Sequence, residues 1–170
     1  MNERAEPRAV DIRFAPIDLE RDFDACARFL CETFVASYGS AEEFEAMGGA
    51  PTYREGLRAR VAAFPDGYVH LWQGGEIAGQ LEMLPRPELG FGMVNLVYLV
   101  PAHRGGPLSD ALHDYIEGTL RRYGMPKARL SVSPTNERAI RYYLKHGWRD
   151  LGPRPDRPYV NAFELDLGTP

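Results

Sequence analysis

The sequence lacks the features that secreted and membrane-spanning proteins usually carry. It has only two cysteines, Cys26 and Cys31, and on one helix their spacing would put the two thiols roughly 140° apart around the axis. We therefore expect two free thiols in a reducing compartment. The longest apolar run, residues 96–100, is far too short for a membrane span, and no signal peptide is visible in the first ten residues. These absences predict a cytoplasmic protein without a membrane partner.

Basic charge is also scarce. The 170 residues carry 20 Lys and Arg against 24 Asp and Glu, a net charge of -4. A nucleic-acid-binding domain usually presents a basic face, so no nucleic-acid partner is expected. No group of histidines and cysteines has the spacing of metal ligands, so no metal is expected either. Apolar residues make up 44% of the chain and charged residues 26%, which is typical of one soluble globular domain.

Hydrophobic periodicity predicts a single α/β domain over residues 1–170. A three-stranded meander followed by β-α-β crossovers implies a mixed sheet of six to seven strands with helices on both faces. Ligands of such sheets tend to bind beyond the carboxyl ends of central strands. The predicted strands cover residues 9–15, 67–72, 76–84, 93–100, 128–133 and 158–167, and the predicted helices 19–34, 52–64, 108–123 and 137–146.

One segment at such a strand end, "PAHRGGPLSDAL" at residues 101–112, has two interpretations. It could cradle a phosphate, because amides at a helix N-terminus lack partners, glycines permit close approach and Arg104 adds a charge-assisted contact. It could equally be an ordinary helix start, with Gly106 as N-cap and Pro107 in the first helical position. On this segment alone both interpretations stay open.

A second segment, "SPTNERAIRYYLKHGW" at residues 133–148, follows a later predicted strand. Together the two segments resemble the GNAT superfamily of acyl-CoA-dependent N-acetyltransferases. The first segment matches the family pattern through Pro101, Arg104 and Gly105, with Leu99 in the place of a valine. The matches in the second are Asn136, Ala139, Tyr143, Gly147 and Trp148.

The resemblance implies a sheet splayed between its fourth and fifth strands, with acetyl-CoA as co-substrate in the gap. It also implies that the pantetheine arm pairs with the end of the central strand, that the diphosphate sits on the Arg104 loop and that Asn136 contacts the arm. The implied coenzyme-binding residues are Leu99, Val100, Arg104, Gly105, Gly106, Leu108, Ser109, Asn136 and Tyr143.

The resemblance further implies direct attack of an amine on the thioester, with strand amides near Leu99 polarising the carbonyl. Tyr143 matches the family's general acid, which protonates the departing thiolate; a phenol is protonated at neutral pH and can donate. The alternative is that Tyr143 is simply a core aromatic residue. Glu82 is the first candidate for the general base, because an inner strand would desolvate it and raise its pKa. The other candidates are His70 and His103, whereas His113 and His146 are expected on the surface.

The sequence departs from the family pattern at two glycine positions of the loop, now Pro107 and Ser109. Proline removes one amide donor, and Asp110 adds a negative charge in the first turn of the helix, where a diphosphate would bind. A second hypothesis is therefore a non-catalytic acyl-CoA-binding or interaction module of the same fold with a degraded diphosphate loop.

The resemblance implies that the acceptor is a primary amine of a small molecule or peptide, in a pocket built from the first two helices and the strand loops. Phe34 and Tyr38 are the candidates from the first helix, and Asn95 stands where many family members carry a carboxylate. The last strand, residues 158–167, is expected to be an exposed edge that pairs two subunits into a homodimer.

Overall fold

The computed structural model describes residues 11–169. The predicted first strand begins at residue 9, so its first two residues lie outside the described range. The strands are β1 (Ile12–Pro16), β2 (Tyr68–Gln73), β3 (Glu76–Arg86), β4 (Phe91–Leu99), β5 (Lys127–Val132), β6 (Arg149–Arg154) and β7 (Arg157–Asp166). The helices are α1 (Leu19–Tyr38), α2 (Glu42–Ala46), α3 (Gly49–Ala63), α4 (Pro107–Arg122) and α5 (Glu137–Lys145).

The strands form one seven-stranded sheet in the order β1-β2-β3-β4-β5-β7-β6. All neighbours are antiparallel except β4 and β5, which are parallel. The predicted mixed sheet is confirmed, and the predicted hairpin turns at Gly74, whose φ of 59° suits a glycine. The parallel pair follows from chain order, since α4 must cross over between the two strands.

Each face of the sheet has its own core. The apolar residues of α4, with Leu112 and Ile116 fully buried, pack with Trp148 and Phe163 on one face. On the other face, α1 and α3 pack through Cys26 and Leu57, so helices cover both faces of the N-terminal half of the sheet. None of the helices within residues 11–169 is both long and apolar enough to cross a membrane.

The position of the last strand differs from the expectation. β7 lies between β5 and β6 and pairs with both, so it is not an edge strand. The chain after β5 returns as a hairpin whose first strand, β6, takes the outer position. The predicted route to a dimer, pairing through residues 158–167, is therefore wrong.

The two histidines expected on the surface are also placed differently. His113 is buried, and its Nε2 accepts a hydrogen bond from Trp148 Nε1 at 3.0 Å. The His146 ring stacks on it with 4.3 Å between ring centroids, and its Nε2 lies 3.0 Å from Asp110 Oδ1. These contacts join α5 to α4 and place the His146 ring beside the carboxylate of Asp110 in the first turn of α4.

Candidate active site

The parallel strands β4 and β5 separate soon after they meet. They pair at only two positions, Gly92 with Ala128 and Met93 with Arg129. The rest of β4 keeps its antiparallel pairing with β3, so one edge of residues 94–99 has no strand beside it. The predicted splay between the fourth and fifth strands is confirmed.

A cavity of about 450 Å³ lies at this gap. Four elements and one loop contribute to its wall: α1, the end of β4, the loop into α4 with the first turns of that helix, and α5. The lining residues are Glu32, Thr33, Ala36, Val97, Tyr98, Leu99, Arg104, Gly105, Ser109, Leu112, Asn136, Arg138, Ala139, Arg141, Tyr142, Tyr143 and Lys145. The two sequence segments that carry the family resemblance therefore meet at one cavity.

The end of β4 presents a peptide group to the gap. The Val100 amide donates to the Ala78 carbonyl at 2.8 Å on the β3 side. Because successive peptide groups of a strand point to opposite edges, the Leu99 amide points into the gap. The Leu99 carbonyl is already engaged, since Arg104 Nε donates to it at 2.8 Å. A ligand at this strand end can therefore accept a hydrogen bond from the Leu99 amide. Val100 offers no free backbone group, because its amide donates to Ala78 and its carbonyl accepts from the His103 amide.

The loop before α4 leaves several amides free. Gly105 has φ of 75°, a left-handed conformation that favours glycine, and Gly106 is the N-cap without a side-chain cap. The Ser109 amide and hydroxyl both donate to the Gly106 carbonyl, at 3.1 and 2.6 Å. Within residues 11–169, the amides of Gly105, Gly106 and Leu108 have no hydrogen-bond acceptor. The segment is thus an ordinary helix start that still presents three amides to an anion.

Positive charge surrounds the cavity. Arg104 from the loop and three residues of α5, Arg138, Arg141 and Lys145, contribute to its wall. Burial and the neighbouring Arg138 guanidinium lower the pKa of Arg104, so the two guanidinium groups lie close enough to repel each other. Asp110 is paired with Lys145 at 3.5 Å as well as with His146. Arg141 pairs with Glu137 at 3.6 Å, whereas Arg104 and Arg138 have no carboxylate partner in the described part of the chain. Their guanidinium groups and the free loop amides fit the diphosphate of coenzyme A, even with Pro107 and Ser109 in the loop.

Tyr143 belongs to both the core and the cavity wall. It is 8% exposed, packs against Trp148 with 5.5 Å between ring centroids and lines the cavity. Its hydroxyl makes no hydrogen bond within the described residues. Burial raises the pKa of Tyr143, so the phenol keeps its proton at neutral pH. The two interpretations of Tyr143, core aromatic and proton donor, are compatible in this position.

Two more polar side chains at the cavity, Tyr142 of α5 and its N-cap Asn136, already make hydrogen bonds within the protein. The Tyr142 hydroxyl donates to the Ser109 carbonyl at 2.9 Å, which fastens α5 to α4. Asn136 caps α5, with its Oδ1 accepting from the Ala139 amide at 3.2 Å. Its Nδ2 has no acceptor among the described residues, so it can donate to a ligand in the cavity.

Glu82 lies in an enclosed polar network away from the cavity. It is 4% exposed and accepts hydrogen bonds from the Tyr53 hydroxyl and from Gln80 Nε2. Its other oxygen lies 3.9 Å from Arg60 Nη2. Desolvation raises the pKa of Glu82. His70, also fully buried, extends the network by its contact with Gln80 at 2.9 Å. Neither side chain is among those that line the cavity.

The three predicted acceptor-binding residues lie on the face of the sheet that α1 covers or beside it. Phe34 packs against Tyr38 and is half-buried, while Tyr38 is exposed and meets Tyr159 of β7 edge to face. Asn95 is exposed and is the extra residue of a β-bulge, since Val94 and Leu96 pair with consecutive residues of β3. His103 is half-buried in the turn before Arg104.

Sequence reasoning missed several cavity residues, among them Glu32 and Arg138. Arg138 lies inside the second segment, but its spacing from Asn136 predicts another side of α5. The family pattern therefore did not mark it as a cavity residue. Glu32 is one of many charged residues on α1. The Tyr98 hydroxyl donates to its Oε2, and that contact across 66 residues of sequence has no local pattern.

The comparisons with known proteins agree with this geometry. Residues 24–148 match the acetyltransferase (GNAT) family. The match covers well over half of the chain and includes the gap, the Arg104 loop and α5. The chain belongs to the GNAT acetyltransferase family.

Solved structures share the fold at low sequence identity. PaiA N-acetyltransferase from Thermoplasma acidophilum in complex with coenzyme A has a TM-score of 0.76 at 16% identity, over 92% of this chain and 99% of that one. Diaminobutyrate acetyltransferase EctA from Paenibacillus lautus, in complex with L-2,4-diaminobutyric acid and coenzyme A, has a TM-score of 0.63 at 16% identity, over 94% and 96%. YncA from Salmonella typhimurium, with acetyl-CoA, has a TM-score of 0.68 at 16% identity, over 94% and 96%. At such identities the likeness supports the fold.

Proposed function

We propose that this protein transfers an acetyl group from acetyl-CoA to a primary amine of a small molecule or peptide. The observation that carries the proposal is the cavity at the β4–β5 gap, which is lined by Gly105 of the loop, Leu99 of the strand end and Tyr143 of α5. We place the reaction in the cytoplasm, with which the two free thiols agree.

In this proposal the diphosphate rests on the amides of Gly105, Gly106 and Leu108, with the Arg104 guanidinium beside it. Arg104 offers its Nη atoms, because Nε is held by the Leu99 carbonyl. Ser109 lines the cavity but offers no donor to the diphosphate, because its amide and hydroxyl both donate to the Gly106 carbonyl. The pantetheine arm runs along the open edge of β4 past Leu99 and Val100, with Asn136 as a second polar contact.

The chemical step uses two groups of the chain. The Leu99 amide donates to the thioester oxygen, which becomes negatively charged as the amine attacks. The Tyr143 hydroxyl donates its proton to the sulfur as the carbon–sulfur bond breaks. Burial raises the pKa of Tyr143, so the phenol carries its proton at neutral pH and is available to donate to the departing sulfur.

The test is free-thiol release from acetyl-CoA in the presence of amines. We expect Tyr143→Phe to lower kcat by about 10²-fold or more, since general acid catalysis contributes that much, with little change in the Kd of coenzyme A. Tyr142→Phe is the matched control: it removes a neighbouring hydroxyl that donates to Ser109 and should retain turnover. Equal turnover in Tyr143→Phe and wild type would remove Tyr143 from the mechanism.

The second candidate is the non-catalytic module of the same fold. Two observations favour it: Pro107 has no amide hydrogen, and both donors of Ser109 are used inside the loop. Calorimetric titration with coenzyme A separates the candidates at the first step. Absence of heat at millimolar coenzyme would favour the module, whereas binding together with thiol release would exclude it.

A further inference from the structure

One carboxylate faces the cavity. Of the 17 residues that line it in the described chain, Glu32 is the single acidic one, and none is a histidine. Every other ionisable group in the wall is a guanidinium, an ammonium or a phenol. A proton acceptor or a counter-ion for a cationic ligand must therefore come from Glu32 or from water.

The position of Glu32 is fixed by the strand beneath it. Its Oε2 accepts the hydrogen bond of the Tyr98 hydroxyl, and the Tyr98 ring stacks on Phe29 with centroids 4.3 Å apart and planes at 17°. Tyr98 and Phe29 are both buried. Glu32 itself is exposed, so its carboxylate is held at the wall while remaining in contact with water.

Glu32 and Tyr143 approach the gap from opposite faces of the sheet. Tyr98, which holds Glu32, packs with Phe29 in the core under α1, whereas Tyr143 packs in the core that α4 covers. A proton acceptor on one face and a proton donor on the other match the two ends of an acyl transfer, entry of the amine and departure of the thiolate.

Two arginines share the cavity walls with Glu32, and a third precedes it on α1. Arg28 precedes it by one turn of α1, and Arg104 and Arg138 line the cavities beside it; none lies within 4 Å of a carboxylate oxygen in the described chain. Their charges oppose a second cation. A bound diphosphate would neutralise Arg104 and Arg138, so an ammonium group should bind more favourably after the coenzyme than before it.

We propose that Glu32 is the acceptor-side catalytic residue: it binds the ammonium group of the amine substrate and takes its proton, after acetyl-CoA has bound. The inference rests on the proposed acetyl transfer and adds to it the substrate charge, the proton acceptor and the binding order. The substrate class is a primary alkylamine that carries a positive charge at neutral pH.

The protons balance in this scheme. The ammonium nitrogen gives one proton to Glu32 and attacks the thioester carbon, forming the carbon–nitrogen bond. The carbon–sulfur bond breaks, and the sulfur takes the proton of Tyr143. The new amide loses its extra proton to the Tyr143 oxygen through water, which restores the phenol. Glu32 releases its proton to the solvent, so each turnover yields an N-acetyl amine, coenzyme A and one proton.

The experiment measures thiol release with 1,4-diaminobutane, L-lysine and L-2,4-diaminobutyrate as probes. We expect Glu32→Gln, which keeps the shape of the side chain, to lower kcat/KM for the amine by about 10²-fold or more. Asp24→Asn is the matched control, since it removes the same charge from an exposed position of the same helix and should retain wild-type turnover. The Kd of coenzyme A, measured by calorimetry, should change by less than threefold in both variants.

Two further measurements keep the inference separate from the proposed function. The first is the variant Tyr98→Phe, which frees the Glu32 carboxylate and should lower kcat/KM less than Glu32→Gln does. The second is product inhibition: coenzyme A should compete with acetyl-CoA but not with the amine. The inference would be overturned if Glu32→Gln kept its turnover, or if turnover were lost in Glu82→Gln but not in Glu32→Gln. Either result would leave the proposed acetyl transfer standing. Failure of the wild type to release thiol with any amine would overturn the proposed function itself.

Discussion

Two tyrosine–glutamate pairs in this protein have the same chemistry in different surroundings. Tyr98 of β4 donates to Glu32 of α1, and Tyr53 of α3 donates to Glu82 of β3. The first pair lies at the wall of the cavity, and the second is closed off by Gln80 and by the helices. The comparison shows that a buried carboxylate on a central strand and a carboxylate at a binding site need not be the same residue.

The enclosed pair has the properties of a structural network. Gln80 Nε2 lies 2.9 Å from both the Tyr53 hydroxyl and Glu82, and its oxygen meets His70. Such a network ties α3 to β2 and β3, because each buried polar group in it depends on its neighbours for hydrogen bonds. The open pair has fewer hydrogen-bond partners and its carboxylate is exposed, which suits exchange of a proton with a substrate.

The largest expected difference between the pairs is in stability on loss of the carboxylate. Glu82→Ala leaves two buried donors, on Tyr53 and Gln80, without an acceptor and should lower the free energy of unfolding by about 2–4 kcal/mol. Glu32→Ala, at an exposed position, should change it by less than about 0.5 kcal/mol. Urea unfolding of both variants measures this, and equal losses would contradict the division into an enclosed and an open pair.

A smaller difference is expected on loss of the hydroxyl. Tyr53→Phe leaves the enclosed carboxylate with one donor fewer and should cost about 1–3 kcal/mol of unfolding free energy. Tyr98→Phe should cost less than about 1 kcal/mol, because water can replace the donor to Glu32. Thermal unfolding of the two variants side by side tests the order. A larger loss in Tyr98→Phe would show that the open pair, too, is structural.

The smallest expected effect is a change of stability with pH. Burial raises the pKa of Glu82 above its usual 4.5, so between 4.5 and the folded-state value the folded protein binds a proton that the unfolded chain has released. Stability from this group is complete below pH 4.5 and falls as the pH rises, by at most about 1.4 kcal/mol per pH unit. Glu82→Gln should therefore gain stability relative to wild type as pH rises above 4.5 in urea titrations. If Glu82→Gln instead lost stability relative to wild type as the pH rises, the predicted direction would be contradicted.

Much of this structure could be predicted from local patterns in the sequence. The two strand-like runs on either side of Gly74 and Gly75 predict the β2–β3 hairpin, and the apolar stripe of α4 predicts that helix. The Arg104 and Asn136 segments predict the gap and its two walls through the family resemblance. These features depend on residues close together in the chain, for which period and spacing are informative.

The rest depends on tertiary packing. Nothing in the periodicity of α1 distinguishes Glu32 from its other acids, because the side that meets Tyr98 is set by how the helix crosses the sheet. Asn95 becomes a bulge only through its pairing with β3. β7 becomes internal only because β6 takes the outer position, which the alternation of its residues cannot indicate.

The most direct test of the account is a crystal structure of the protein with coenzyme A. We predict the diphosphate on the amides of Gly105, Gly106 and Leu108, and the sulfur within hydrogen-bonding distance of the Tyr143 hydroxyl with Glu32 across the gap from it. A coenzyme bound only through the exposed cations Arg141 and Lys145, with its sulfur remote from Tyr143, would contradict the account.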